Sequence, residues 1–202
     1  AAERVGADAE NVMVMSTGVI GMPLPMDKIL AGVDAAAQAL SSSPEGGHAA
    51  ARAIMTTDTR PKESAWRASI DGSPFTVAGM AKGAGMIHPN MATMLSVLAT
   101  DIAITPELAR RALNEVVADT YNMITVDGDM STNDTVLLMA NGQADVPTID
   151  SSDSDAYQAF LATLSRVATD LAKGLVRDGE GATRFIEISV TGARSKGEAK
   201  QV

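Results

Sequence analysis

The residues best suited to chemistry lie together, in the run from Lys82 to Leu95 (Lys-Gly-Ala-Gly-Met-Ile-His-Pro-Asn-Met-Ala-Thr-Met-Leu). A small Ala92 precedes Thr93 where a loop rich in Gly and Pro turns into an apolar run, Met94 to Thr100. A threonine so placed can attack the carbonyl before it, break the chain and expose a new amino terminus. The freed α-amine, with an ordinary pKa of about 8, then stands beside its own hydroxyl and can act as base. Such a nucleophile needs neither His nor Cys. On spacing alone, an Ala-Thr pair is far more often the ordinary start of a strand. Gly83-Ala84-Gly85 has the outline of a phosphate loop, but a third glycine is missing and no helical pattern follows it.

A second polar concentration is Asp127, Asp129, Asn133 and Asp134. Oxygen ligands at alternating positions resemble the opening of a calcium loop, yet Gly128 is misplaced and no Glu stands at the twelfth position. The cluster reads as a structural turn bonded to backbone. The chain has no Cys and two His, at 48 and 88, which excludes disulfides, a thiol nucleophile and thiolate metal sites. No metal and no organic cofactor is expected. His88 stands before Pro89 in a loop, where it reads as positional rather than as a base. A net charge of −9 argues against a nucleic-acid partner.

The elements that must position these groups come from 202 residues, 46% hydrophobic but only 3% aromatic, with 12 Met to fill the core. No run reaches the roughly 18 apolar residues of a membrane span, so no membrane partner is expected. No targeting segment opens the chain, so the cytoplasm is the expected compartment. Residues 11–16 read as a buried strand entering a turn at Thr17-Gly18, and 26–40 has helical spacing. A small-residue helix runs through Ile54. Strands at 63–70 and 75–80 flank the hairpin signal Asp71-Gly72-Ser73-Pro74. Residues 94–100, 123–126, 135–140 and 185–190 read as further strands. Thr105-Pro106-Glu107 starts one helix, and the longest runs from about 154 to 175. The chain opens without Met and stops inside a helix-like pattern, so 1–202 is read as the interior of a longer α/β precursor.

The segment Lys82 to Leu95 resembles the self-cleavage segment of the ornithine acetyltransferase (glutamate N-acetyltransferase) family of arginine biosynthesis. Ser16 to Gly21, Met55 to Thr59, Val126 to Thr135 and Arg177 to Thr183 also resemble that family's motifs, in its order. The resemblance implies a layered α-β-β-α sandwich and self-cleavage between Ala92 and Thr93. Residues 1–92 would then end an α chain and 93–202 would begin a β chain. Thr93 would be the nucleophile, and the Thr17 hydroxyl and Gly18 N–H the oxyanion hole. Lys82 and Glu180 would read the charged ends of an amino-acid substrate, and Thr56 would hydrogen-bond it, with Thr57 a near-equal candidate. Read without the family, Thr17-Gly18 is a turn, Lys82 a solvated loop lysine and Glu180 a surface turn residue.

The implied reaction moves acetyl from N2-acetyl-L-ornithine to L-glutamate through an acetyl-threonine, and some members also use acetyl-CoA as donor. The implied assembly is α2β2. Two alternatives stand beside this one. The first is an autoprocessing N-terminal-threonine amidase or aminopeptidase that gives the acyl group to water. The second is a non-catalytic piece lacking the family's C-terminal site residues, which lie beyond Val202.

Overall fold

The computed structural model describes residues 1–89 and 93–201; Ala92, half of the expected cleavage point, lies outside them. Asp71 and Gly72 both take positive φ (50° and 87°), as a two-residue turn matched to strand twist requires. They join β1 (Lys62–Ile70) to β2 (Ser73–Lys82) in an antiparallel hairpin. β3 (Leu95–Thr100) runs antiparallel to β2, and β4 (Thr135–Ala140) parallel to β3, giving one sheet in the order β1-β2-β3-β4.

Six helices accompany the sheet among the described residues. The first three are α1 (Ala2–Val5), α2 (Met26–Gln38) and α3 (Pro44–Ala53), and the others are α4 (Pro106–Asp119), α5 (Asp155–Arg177) and α6 (Lys196–Ala199). α4 lies in the connection that carries the chain from β3 back to its parallel neighbour β4. The Thr105 side chain caps α4 and the Ser154 side chain caps α5, each accepting a backbone N–H of the first turn.

Period-two alternation decides which sheet face is inside. Phe75, Val77 and Ala81 of β2 are buried, and so is Leu98 of β3. Against them α5 sets Phe160, Leu164, Val167, Ala168, Leu171 and Leu175, all at most 1% exposed. Gly79, in register with Leu98, is where this packing is closest. A Cβ there would lie 2.7 Å from Leu98, 2.9 Å from the Val97 carbonyl and 3.0 Å from Leu171. On the opposite face of the sheet Ala65, Ala99 and Met139 are exposed.

The α/β class holds. Of the layered sandwich, the described residues form one sheet and the helix layer on it. Three expected strands are absent. Residues 12–16 are irregular after a 3-10 turn at Ala9–Asn11, with Met13 and Val14 74% and 80% exposed. Residues 123–126 follow another 3-10 turn, Tyr121–Met123, without pairing as a strand. Residues 185–190 alternate as expected, but Ile186 and Ile188 are 75% and 82% exposed. A strand exists only where a neighbour completes its ladder, and none lies beside these three segments among the described residues. The helix at 26–40 forms as α2 but buries no residue.

Candidate active site

One end of the sheet gathers the residues of interest. β2 ends at Lys82, β3 begins just after Thr93, and β4 just after Asp134. β1 begins at Lys62, close behind Asp58, and α5 runs out at Asp178. Five element ends thus converge here.

Thr93 is held by its main chain. Its N–H donates to the Met86 carbonyl at 2.8 Å, and its carbonyl accepts the Lys82 ammonium at 3.3 Å. Its hydroxyl is buried and has no hydrogen-bond partner among the described residues. Such a group is costly unless something uses it. Gly83 explains the close approach, since a Cβ there would lie 3.1 Å from the Thr93 carbonyl oxygen, and its φ of 145° favours glycine in any case. Asp134 accepts the next amide, that of Met94, at 3.1 Å.

Lys82 is 1% exposed, not the solvated loop residue its neighbours imply. Burial pulls its pKa down, opposed by the charges of Asp58 and Asp134. Burial pushes Asp134 up, opposed by the Met94 amide and Lys82. A cavity of about 360 Å³ opens beside this point, bounded by His88, Met94, Tyr121, Asp134 and Thr135 among others. His88 faces Thr125 Oγ1 at 3.5 Å.

Glu180 is reached across the same loop. Its N–H donates to the Ala84 carbonyl at 2.7 Å, and its carboxylate accepts the Thr57 hydroxyl at 2.5 Å. Gly85 leaves room for that carboxylate, for a Cβ there would stand 3.1 Å from it. The Gly-x-Gly pair therefore admits Thr93 on one side and Glu180 on the other. Of the two threonines, Thr57 carries the contact to Glu180, while Thr56 donates its backbone N–H to Asp58 at 3.0 Å.

Beneath these groups lies a buried charge cluster. Lys62 donates to Asp58, to Asp178 at 2.5 Å and to the Gly83 carbonyl at 3.3 Å. Asp58 also accepts the Gly83 amide at 2.7 Å, and Asp178 accepts the Thr59 amide at 3.0 Å and its hydroxyl. Burial raises both carboxyls, but these bonds outweigh it and hold each below its ordinary value. Asp127 behaves as a structural turn residue, accepting the amides of Met86 at 2.7 Å, Ile87 at 3.2 Å and Asp129 at 3.1 Å.

Thr93, Lys82, Thr57 and Glu180 are thus brought into one connected region. Thr17 and Gly18 are not. They sit in the irregular N-terminal segment, which touches this end of the molecule where Asn133 Nδ2 donates to the Ser16 carbonyl at 3.4 Å. Sequence reasoning missed Lys62, Asp58 and Asp178. The two aspartates sit inside the motifs Met55 to Thr59 and Arg177 to Thr183, which was a usable signal. Lys62 begins a strand and carries no signal at all.

A model of the ArgJ family matches residues 1–202. The arginine biosynthesis bifunctional protein ArgJ of Symbiobacterium thermophilum is 54% identical over 201 residues, covering 100% of this chain and 49% of its own. That of Geobacter sulfurreducens is 50% identical over 200 residues, covering 99% and 50%. The chain thus spans about half the length of these relatives. The crystal structure of arginine biosynthesis bifunctional protein argJ from Bacillus halodurans is 41% identical, with a TM-score of 0.42, covering 44% of this chain and 41% of that one.

Proposed function

Because the chain belongs to the ArgJ family, we propose that it carries the nucleophile and part of the substrate site of an acetyltransferase of arginine biosynthesis. Acetyl moves from N2-acetyl-L-ornithine to L-glutamate by double displacement, after the backbone is cut between Ala92 and Thr93. The Thr93 hydroxyl attacks the acetyl carbonyl while the freed α-amine of Thr93 takes its proton. The tetrahedral adduct collapses, the C–N bond to ornithine breaks, and the α-amine returns the proton to the leaving amine. The glutamate amine then attacks the acetyl-threonine ester and releases the threonine hydroxyl. Thr17 and Gly18 supply the oxyanion donors once the N-terminal segment is seated at Thr93. Lys82 takes the α-carboxylate of either substrate and Glu180 the side-chain ammonium of ornithine, with Thr57 at Glu180's side and Thr56 next to it in the chain. The same reading has the two products pair as α2β2 in the cytoplasm, with acetyl-CoA as a further donor to test.

The observation that carries this reading is the Thr93 hydroxyl, buried and without a hydrogen-bond partner among the described residues, at the head of an interior strand. The Lys82 ammonium on its carbonyl adds to it. Mass spectrometry of the complete gene product is the direct test. Two chains are expected, the second beginning Thr-Met-Leu, and Thr93→Ala should give one intact, inactive chain. Efficient cleavage of that variant, or release of free acetate with no transfer to glutamate, would overturn the reading in favour of an amidase or a different nucleophile.

A further inference from the structure

Lys62 makes contacts that its place at the start of a strand does not require. Its side chain is 3% exposed, and its stem crosses α5 at Gly174, where a Cβ would lie 3.2 Å from Lys62 Cγ. A glycine inside a 23-residue helix costs helix propensity, and here it provides the groove through which the lysine passes. The ammonium then engages three separate pieces of chain. Through Asp58 it reaches the Thr56 and Gly83 amides. Through the Gly83 carbonyl it reaches the residue after Lys82. Through Asp178 it reaches the turn in which Glu180 follows Gly179. Those three pieces carry Thr56 and Thr57, Lys82, and Glu180.

We propose that Lys62, paired with Asp58 and Asp178, is a positioning residue that sets the spacing between the cation and the anion that read an amino-acid substrate. This rests on the acetyl-transfer reading above. One charge in the middle of two carboxylates fixes where both loops stand. In N2-acetyl-L-ornithine the α-nitrogen is acetylated and reacts, so the charges left to read are the α-carboxylate and the side-chain ammonium at the far end of a three-methylene chain. A site that reads both needs its own two charges at a matching distance. The surface around Glu180 is open, and packing alone does not hold it there.

The test compares the complete gene product as wild type, Lys62→Met, and Lys62→Met with Asp178→Asn. The double variant removes a cation and one carboxylate together, so the net charge of the cluster is unchanged and Asp58 is the one carboxylate that loses its ammonium. Asp58 keeps its two backbone amides, and an Asn at 178 can still accept the Thr59 amide and donate to its hydroxyl. Lys62→Met should lose much of its thermal stability, and the double variant should regain most of it. Both should show KM for N2-acetyl-L-ornithine raised about tenfold or more, with kcat changed by less than about threefold. A stable double variant with wild-type KM overturns the proposal. So does a loss confined to kcat, and so does a double variant as unstable as Lys62→Met, which would assign the cluster to folding alone. A wild-type protein that transfers no acetyl instead overturns the parent reading.

Discussion

Lys82 and Glu180 illustrate how burial separates two residues that look alike in a sequence. Both read from the sequence as loop residues beside glycines, yet Lys82 closes β2 and is 1% exposed while Glu180 is open to solvent. The proposed self-cleavage involves no substrate, so Glu180→Gln should process fully. Its transfer should fall by tens- to hundreds-fold, since a lost charge-assisted hydrogen bond costs on the order of 2–3 kcal/mol. Processing extent and transfer rate in the same sample check this. Lys82 is pulled away from its charged state by burial, the larger influence, despite Asp58 and Asp134. Lys82→Met should therefore keep or raise Tm while losing transfer, a trade between stability and function measurable by calorimetry beside kinetics. Neither contrast is visible in the letters, because burial is set by residues distant in sequence. The choice between Thr56 and Thr57 is of the same kind. Adjacent side chains in a loop point differently, and only the fold shows that Thr57 meets Glu180.

The elements were legible where local pattern and tertiary environment agreed. The hairpin at Asp71-Gly72 and the long α5 stripe formed within a residue or two of expectation, as did the Thr105 cap, because turn chemistry, period and capping each act locally. The runs at 11–16 and 185–190 carry strand-like composition without a ladder partner, and composition cannot supply one. Gly79 was equally silent in the sequence. Gly79→Ala places a methyl group against the Val97 carbonyl and Leu98, and should destabilise the sheet by about 1–3 kcal/mol in urea unfolding. The start of β1 and the end of α5 are joined by charge. Asp58 and Asp178 are raised by burial but held below 3.8 overall by Lys62 and the backbone amides. A carboxylate depressed in the fold stabilises it fully above the unfolded value and loses that contribution as pH falls through the folded one. Tm should therefore drop steeply below about pH 4. The drop should be shallower in Lys62→Met with Asp178→Asn, checked by thermal melts across pH.

At the scale of the molecule, the motifs named the region and the fold assembled it. Met55 to Thr59, Lys82 to Leu95 and Arg177 to Thr183 lie far apart in the chain but meet at one end of the sheet. Ser16 to Gly21 does not join them in these 202 residues. Its segment carries exposed Val19 and Ile20, each 72% accessible, and makes little contact with the core. The β2–β3 ladder has one more consequence. It pairs Val77 through Lys82 with Thr100 through Leu95, and α5 lies across β1 and β2, so both straddle the proposed cut at Ala92 and Thr93. Once the backbone is cut, the same contacts join two molecules instead of two parts of one. Unfolding then becomes a dissociation, governed by mass action. The Tm of the processed protein should climb with its concentration. The uncut Thr93→Ala protein, if it unfolds as a monomer, should melt at one temperature whatever the dilution.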